Sequence, residues 1–339
     1  MHAYALEYMK KLLSIPSPTG FTAEATDYLL ETLKRLGFSP VRDRKGCVMC
    51  CLGGEGRGIL LSAHVDTLGA MVRSVKGNGR IRYTHIGGWQ DATVENENCL
   101  VHTRDGRAYS ATVQSTKASQ HVFPGMGKEE RGETTLEIVL DEEVKSAADV
   151  EVLGIETGCF ISWDPRTVLT ASGYLKSRHL DDKASAGMLL ALARMVAEGK
   201  MVLKRRVYIL FTVFEEVGHG GSIRLPEDIE DMLAVDMGCV GDDLKCDETM
   251  VSICVKDSSG PFHYEMTNEL IATAKENGIR YAADVYPSYS SDAAAALRAG
   301  NDLRYALIGT GVFASHGYER THLKGIENTC RLIAKYLER

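Results

Sequence analysis

Two histidines and a set of carboxylates, met at intervals along the chain, have the composition of a hydrolytic metal site: His64 with Asp66, Asp181 with Asp182, Glu215 with Glu216, then Asp236 and His316. His64 closes the apolar run Ile59-Leu60-Leu61-Ser62-Ala63, and Asp66 follows two residues later, ahead of Gly69. An apolar run too short for a helix and bounded by turn residues reads as a buried strand. At the carboxyl end of such a strand a histidine can bind a metal through one ring nitrogen. The aspartate two residues on shares its side of the strand and can hold the other nitrogen, fixing the tautomer.

Glu215 and Glu216 follow another apolar run, and their adjacency suits a division of labour. One carboxylate can bind a metal while its neighbour takes a proton from water as general base. Asp181 and Asp182 precede a helix start rich in small residues, and Asp236 ends a short apolar stretch, Ala234-Val235. His316 lies in Ser315-His316-Gly317-Tyr318-Glu319. Taken singly, each has an ordinary structural reading, such as a helix cap or a solvated strand end. Together they form a mixed nitrogen and oxygen donor set suited to zinc, cobalt or manganese. The surplus of ligands suits two ions about 3.5–4 Å apart, with one aspartate between them.

The elements that must position these residues read as α/β. Helical spacing predicts helices over 4–13 and 22–36, and strands follow at 47–52 and 58–63. From about 70 to 163 the texture changes to short, evenly spaced strands (81–84, 99–103, 109–113, 134–139) between glycine-rich turns, which suggests a small inserted β-barrel or sandwich. The α/β pattern then returns, with a helix at 183–198, strands at 207–214, 232–235 and 305–308, and helices at 268–277, 292–298 and 325–337. The expected architecture is a three-layer α/β/α catalytic domain over 1–70 and 165–339, carrying a β-rich insert at 71–164.

Composition narrows the partners. A net charge of −7 with no basic cluster argues against nucleic acid or an anionic membrane surface. No apolar run is long enough to span a membrane, and the first helix lacks the continuous apolar core of a secretion signal, so a cytoplasmic protein is expected. The nine cysteines show no regular spacing, and Cys47, Cys50 and Cys51 read as parts of a structural strand rather than a metal motif.

With these residues in place, the whole chain resembles the M42 family of metallo-aminopeptidases. The resemblance rests on Ser17-Pro18-Thr19-Gly20-Phe21, Ala63-His64-Val65-Asp66-Thr67-Leu68-Gly69, Ile86-Gly87-Gly88-Trp89 and Val101-His102-Thr103-Arg104-Asp105-Gly106. Leu180-Asp181-Asp182-Lys183, Glu215-Glu216-Val217-Gly218, Val235-Asp236 and Ser291-Asp292-Ala293 complete it. The insert falls between Asp66 and Asp181, whereas the related M20 deacylases insert a domain later and the M28 aminopeptidases have none here. The resemblance implies one metal on His64 and Asp236, a second on Glu216 and His316, and Asp181 bridging both across a cis peptide to Asp182. It implies Glu215 as general base, Asp66 behind His64, and Asp292 in support. It also implies peptide substrates with a free amino terminus and a homo-oligomer between a dimer and a tetrahedral dodecamer.

Two features depart from the family pattern: Phe214 stands where a polar residue is common, and the final motif offers both His316 and His322, of which His316 fits better. His85, His102, His179, His219 and His263 read as loop or surface residues, and His121 lies in a loop of the insert. An M20-like amidohydrolase acting on acylated amino acids, and a non-catalytic assembly protein of the same fold, are the alternatives.

Overall fold

The computed structural model describes residues 1–339, apart from the side chain of Met126. The chain divides into two compact units, Met1–Asp66 with Arg166–Arg339, and Thr67–Pro165.

The first unit is built on a nine-stranded sheet. Its centre is four parallel strands in the order Arg206–Thr212, Gly58–His64, Ile229–Cys239 and Arg304–Val312. Val48–Gly53 joins antiparallel on one side and Val251–Asp257 on the other. All seven residues of Gly58–His64 are buried, which is why this run is apolar but for Ser62 until the histidine. Helices pack on the sheet, among them His2–Leu13, Leu180–Ala197 and Leu323–Leu337.

The small residues at the start of Leu180–Ala197 have a packing reason. A Cβ on Gly187 would stand 2.6 Å from Met9 Cγ and 3.0 Å from the Ala5 carbonyl oxygen, so His2–Leu13 can lie this close only against a glycine. The helix is buried nearly all round, from Leu180 to Ala193.

The second unit is a closed six-stranded barrel, in the order Gly69–Val75, Ile81–Ile86, Leu136–Leu140, Ala108–Ser115, Asn98–His102 and Phe160–Trp163. Alternate inward residues such as Tyr83, Val101, Val113, Ile138 and Ile161 fill it. Closure leaves the barrel without open edges.

Several boundaries differ from the sequence expectation where the chain meets the carboxylates. The strand predicted over 207–214 stops at Thr212, because Phe214 takes a φ of 69° that no strand continues through. Glu215 and Glu216 therefore stand in a turn, beyond the strand end. The strand predicted over 232–235 runs from Ile229 to Cys239, so Asp236 sits inside it. Pairing with Gly58–His64 ends at Ala234, but Arg304–Val312 carries the ladder past the acid to Cys239, and Gly309 makes room: a Cβ there would lie 2.0 Å from the Asp236 carbonyl oxygen. A short strand, Glu319–His322, which the sequence pattern did not indicate, pairs with Tyr174–Ser177 and places His316 in the preceding turn. Among the described residues no helix is long and apolar enough to cross a membrane, and all nine cysteines are free.

Candidate metal centre

Sheet register brings the first two donors level. Ala234 pairs with Ser62, so two residues further on Asp236 stands beside His64, at the carboxyl end of Gly58–His64, where α/β sheets place ligands. His64 is almost fully buried. Its Nδ1 lies 2.9 Å from the Asp66 carbonyl oxygen, while Nε2 lies 3.0 Å from Asp181 Oδ1. A proton on Nδ1 satisfies that carbonyl and leaves the Nε2 lone pair toward the acids.

The Asp66 carboxylate does less for His64 than the strand geometry suggested. Its Oδ1 is 3.6 Å from Nδ1, and the backbone carbonyl takes the close contact instead. The carboxylate accepts from the backbone N–H of Glu215 at 3.2 Å and of Glu216 at 3.3 Å, and from the Thr19 hydroxyl at 2.7 Å. Asp66 is thus the buried anchor of the turn that carries both glutamates. The chain leading into Thr19 is tied down twice, with the Ser17 hydroxyl donating to the Val65 carbonyl and Lys183 Nζ to that of Ile15.

Asp181 and Asp182 are joined by a cis peptide and lack helical dihedrals, although the helix proceeds directly from them. Asp181 reaches both histidines, with Oδ1 at 3.0 Å from His64 Nε2 and Oδ2 at 3.4 Å from His316 Nε2. Asp182 turns inward, accepting from the His64 backbone N–H at 3.1 Å. Glu215 Oε2 is 3.8 Å from His64 Nε2, and Glu216 Oε2 is 3.6 Å from His316 Nε2.

His316 sits at φ 61° in its turn, and Glu319 secures it. One Glu319 oxygen accepts from the His316 backbone N–H at 3.0 Å, and the other from that of Asp181 at 3.1 Å. Sequence reasoning noted Glu319 only as a neighbour of His316. The signal for this clamp was a lone acid three residues after a turn histidine, and its second partner is far away in the chain. His322, the alternative, caps the last helix: its Nδ1 accepts from Lys324 N–H and its Nε2 meets the Ser172 carbonyl at 3.0 Å. Asp292 accepts from the Thr212 hydroxyl, and Gly220 and Gly221 leave it room, since a Cβ on either would collide with it.

Among the other histidines expected in loops or at the surface, His219 is exposed, but His85 and His102 are half-buried in the barrel strands Ile81–Ile86 and Asn98–His102. His179 is buried in a left-handed turn beside the site, not on the surface. His121 is exposed in its loop of the barrel unit.

The electrostatics show what the cluster lacks. Burial pushes the carboxyls of Asp182, Glu215, Glu216 and Asp292 upward. Burial, followed by repulsion from Asp181, raises Asp236 to about 7 and Glu319 to about 8. Asp181 goes the other way: hydrogen bonds from His316 and His64 overcome its burial. Burial alone would lower His64, but the Asp181 hydrogen bond and the charges of Glu215 and Asp236 hold it well above the ordinary histidine range. Buried oxygens of Asp182, Glu216 and Asp292 have no hydrogen-bond partner. This is a donor set short of positive charge, and a divalent cation fits it. Donor atoms of His64, Asp182 and Asp236 lie within 4.8 Å of one another, as do those of His64, Asp181 and Glu216.

A buried imidazole and carboxylate cluster at the carboxyl ends of a parallel sheet defines a metal-dependent hydrolase of the α/β class. The chain matches the family model described as M42 glutamyl aminopeptidase over residues 46–332 and belongs to the M42 family of peptidases. It is therefore a hydrolase of peptide bonds, from a metal-dependent family. It is 43% identical over 335 residues, 98% of this chain and 97% of the relative, to YhfE of Bacillus subtilis (strain 168), provisionally named an aminopeptidase. The fold is shared with the TET aminopeptidase of the marine sediment archaeon Thaumarchaeota archaeon SCGC AB-539-E09, at a TM-score of 0.88 and 21% identity, covering 99% of this chain and 97% of that one. Pyrococcus horikoshii TET1 peptidase superposes with a TM-score of 0.86 at 20% identity, covering 98% and 99%.

Proposed function

We propose that this protein is a two-metal aminopeptidase that removes residues from the free amino terminus of peptides. The observation that supports this best is the placement of Asp181, one carboxylate facing the Nε2 atoms of two histidines. In this reading His64 and Asp236 hold one cation, Glu216 and His316 hold the other, and Asp181 is shared. Zinc suits these donors, and cobalt or manganese would also match. Such a cation pair, when bound, lowers the pKa of water and polarises the carbonyl of the scissile peptide.

The protein's own groups do the rest. Glu215 takes the proton of the attacking water and returns it to the leaving amine, a role suited to a carboxyl whose pKa burial has raised. Asp66 holds Glu215 in place through its backbone N–H. The surplus negative charge of the cluster would receive the substrate's terminal ammonium, which confines cleavage to the chain end.

We assign catalysis to the unit Met1–Asp66 with Arg166–Arg339, and a role in assembly to the inserted barrel Thr67–Pro165. Pyrococcus horikoshii TET1 peptidase can assemble into a tetrahedron or a large octahedral shell. We extend homo-oligomeric assembly to this chain, as a cytoplasmic enzyme without nucleic-acid or membrane partners.

The test is chromophore release from amino-acyl p-nitroanilides by metal-free protein reconstituted with Zn, Co or Mn. Activity should require metal, and Glu215→Gln should lower it by about 10²–10⁴-fold while metal stays bound. Absence of turnover on every free-amine substrate with two equivalents of metal bound would overturn this reading.

A further inference from the structure

The segment Tyr286–Ser290, ahead of Asp292, carries a phenol that none of the roles above uses. The ring of Tyr289 is half-buried, yet its hydroxyl oxygen is buried and makes no hydrogen bond. A buried hydroxyl without a partner is destabilising, so its retention calls for an explanation.

Its surroundings supply one. The charged groups that act on the Tyr289 phenol are Asp236, Asp181 and Glu215, that is, two of the donors assigned to metal and the assigned base. The hydroxyl stands near enough to Asp236 to act weakly on it, yet completes no hydrogen bond to any group.

The backbone at Tyr289 is also pinned. Its N–H donates to the Ser258 hydroxyl oxygen at 3.0 Å, and its carbonyl accepts from the Ser258 N–H at 3.0 Å. The Ser258 hydroxyl in turn donates to the Pro287 carbonyl at 3.2 Å, and the ring packs edge-on against Tyr286 with centroids 5.2 Å apart. A donor fixed in this way needs no reorganisation when charge appears next to it.

Peptide hydrolysis creates negative charge on the carbonyl oxygen, in a site lined by carboxylates that repel it. We propose that Tyr289 is a catalytic residue whose hydroxyl donates a hydrogen bond to the carbonyl oxygen of the scissile peptide as it becomes tetrahedral. This inference rests on the two-metal aminopeptidase reading. It predicts a contact made in the transition state and absent from the resting protein.

The experiment compares the metal-loaded wild type, Tyr289→Phe and Glu215→Gln. Each is measured with the best p-nitroanilide, with an α-aminophosphonate bearing the same side chain as a tetrahedral mimic, and with the free amino acid product. For Tyr289→Phe, kcat should fall about 10²-fold. The inhibition constant of the phosphonate should rise by a similar factor, and that of the product should stay within twofold. Because the lost hydroxyl had no partner, the melting temperature of the metal-free variant and its metal affinity against a chelating dye should not fall. A kcat within threefold of wild type, beside an inactive Glu215→Gln, overturns the role of Tyr289 and leaves the aminopeptidase reading standing. A loss that tracks weakened metal binding also overturns it, and makes Tyr289 a support for Asp236. An inactive wild type with metal bound overturns both.

Discussion

Removing metal should make this protein less stable as pH rises from 5 to 7, the reverse of what most carboxylates do. Asp236 and Glu319 have folded pKa values of about 7 and about 8, against roughly 4 in an unfolded chain. Between these limits the folded state holds protons that the unfolded state has released. Stability then falls as pH rises, by about 1.4 kcal/mol per pH unit for each such group. The two groups together cost about 5 kcal/mol over two units, and Asp182, Glu215, Glu216 and Asp292 act in the same direction.

His179 opposes them. Burial, and then Lys183 and Arg178, hold it well below the ordinary range. It therefore costs stability as pH falls below about 6.5, by at most about 1.4 kcal/mol per unit. Asp181, held low, changes only at more acidic pH. Lys183, lowered to about 7 by burial, is protonated in both states across most of the window. The carboxylates dominate. At the entropy of unfolding usual for a chain of this length, the net loss is about 5–10 °C in melting temperature. The assay is thermal melting of chelator-treated protein at pH 5, 6 and 7, with and without saturating zinc. Zinc should raise the melting temperature far more at pH 7 than at pH 5, since at pH 5 it must displace protons. A metal-free melting temperature that rises with pH, or a zinc effect equal at both ends, would refute the claim that the cluster lacks positive charge.

Other perturbations test single contacts. His316→Ala should cost about one of two bound zinc equivalents by elemental analysis, whereas His322→Ala should keep both and lose about 1 kcal/mol of stability as a helix cap. Asp66→Asn replaces an acceptor of two backbone N–H groups by an amide that matches only part of them. Its kcat should fall about 10–100-fold with metal content preserved. Gly309→Ala forces a methyl against the Asp236 carbonyl, and chemical denaturation should show a loss of at least about 1–3 kcal/mol.

The types of side chain in the centre were legible in the sequence, because histidines and acids at the ends of apolar runs have few partners except ions and water. The α/β framework and the β-barrel insert were legible for a related reason, since a change in hydrophobic period marks a change in the surface that a segment must cover. Boundaries near the site were not. Phe214 at positive φ ends a strand that its apolar character would extend, and Asp236 lies inside a strand because Arg304–Val312, on one side, carries the ladder past it.

Contacts between distant segments were beyond reach of any local pattern. Thr19 donating to Asp66, and Glu319 clamping Asp181 to His316, join residues far apart in the chain. The sequence by itself determined which donors exist and that they lie at ends of buried elements. Only the tertiary structure decided which of them face one another, because that depends on strand order and register, and these are set by the packing of the whole sheet.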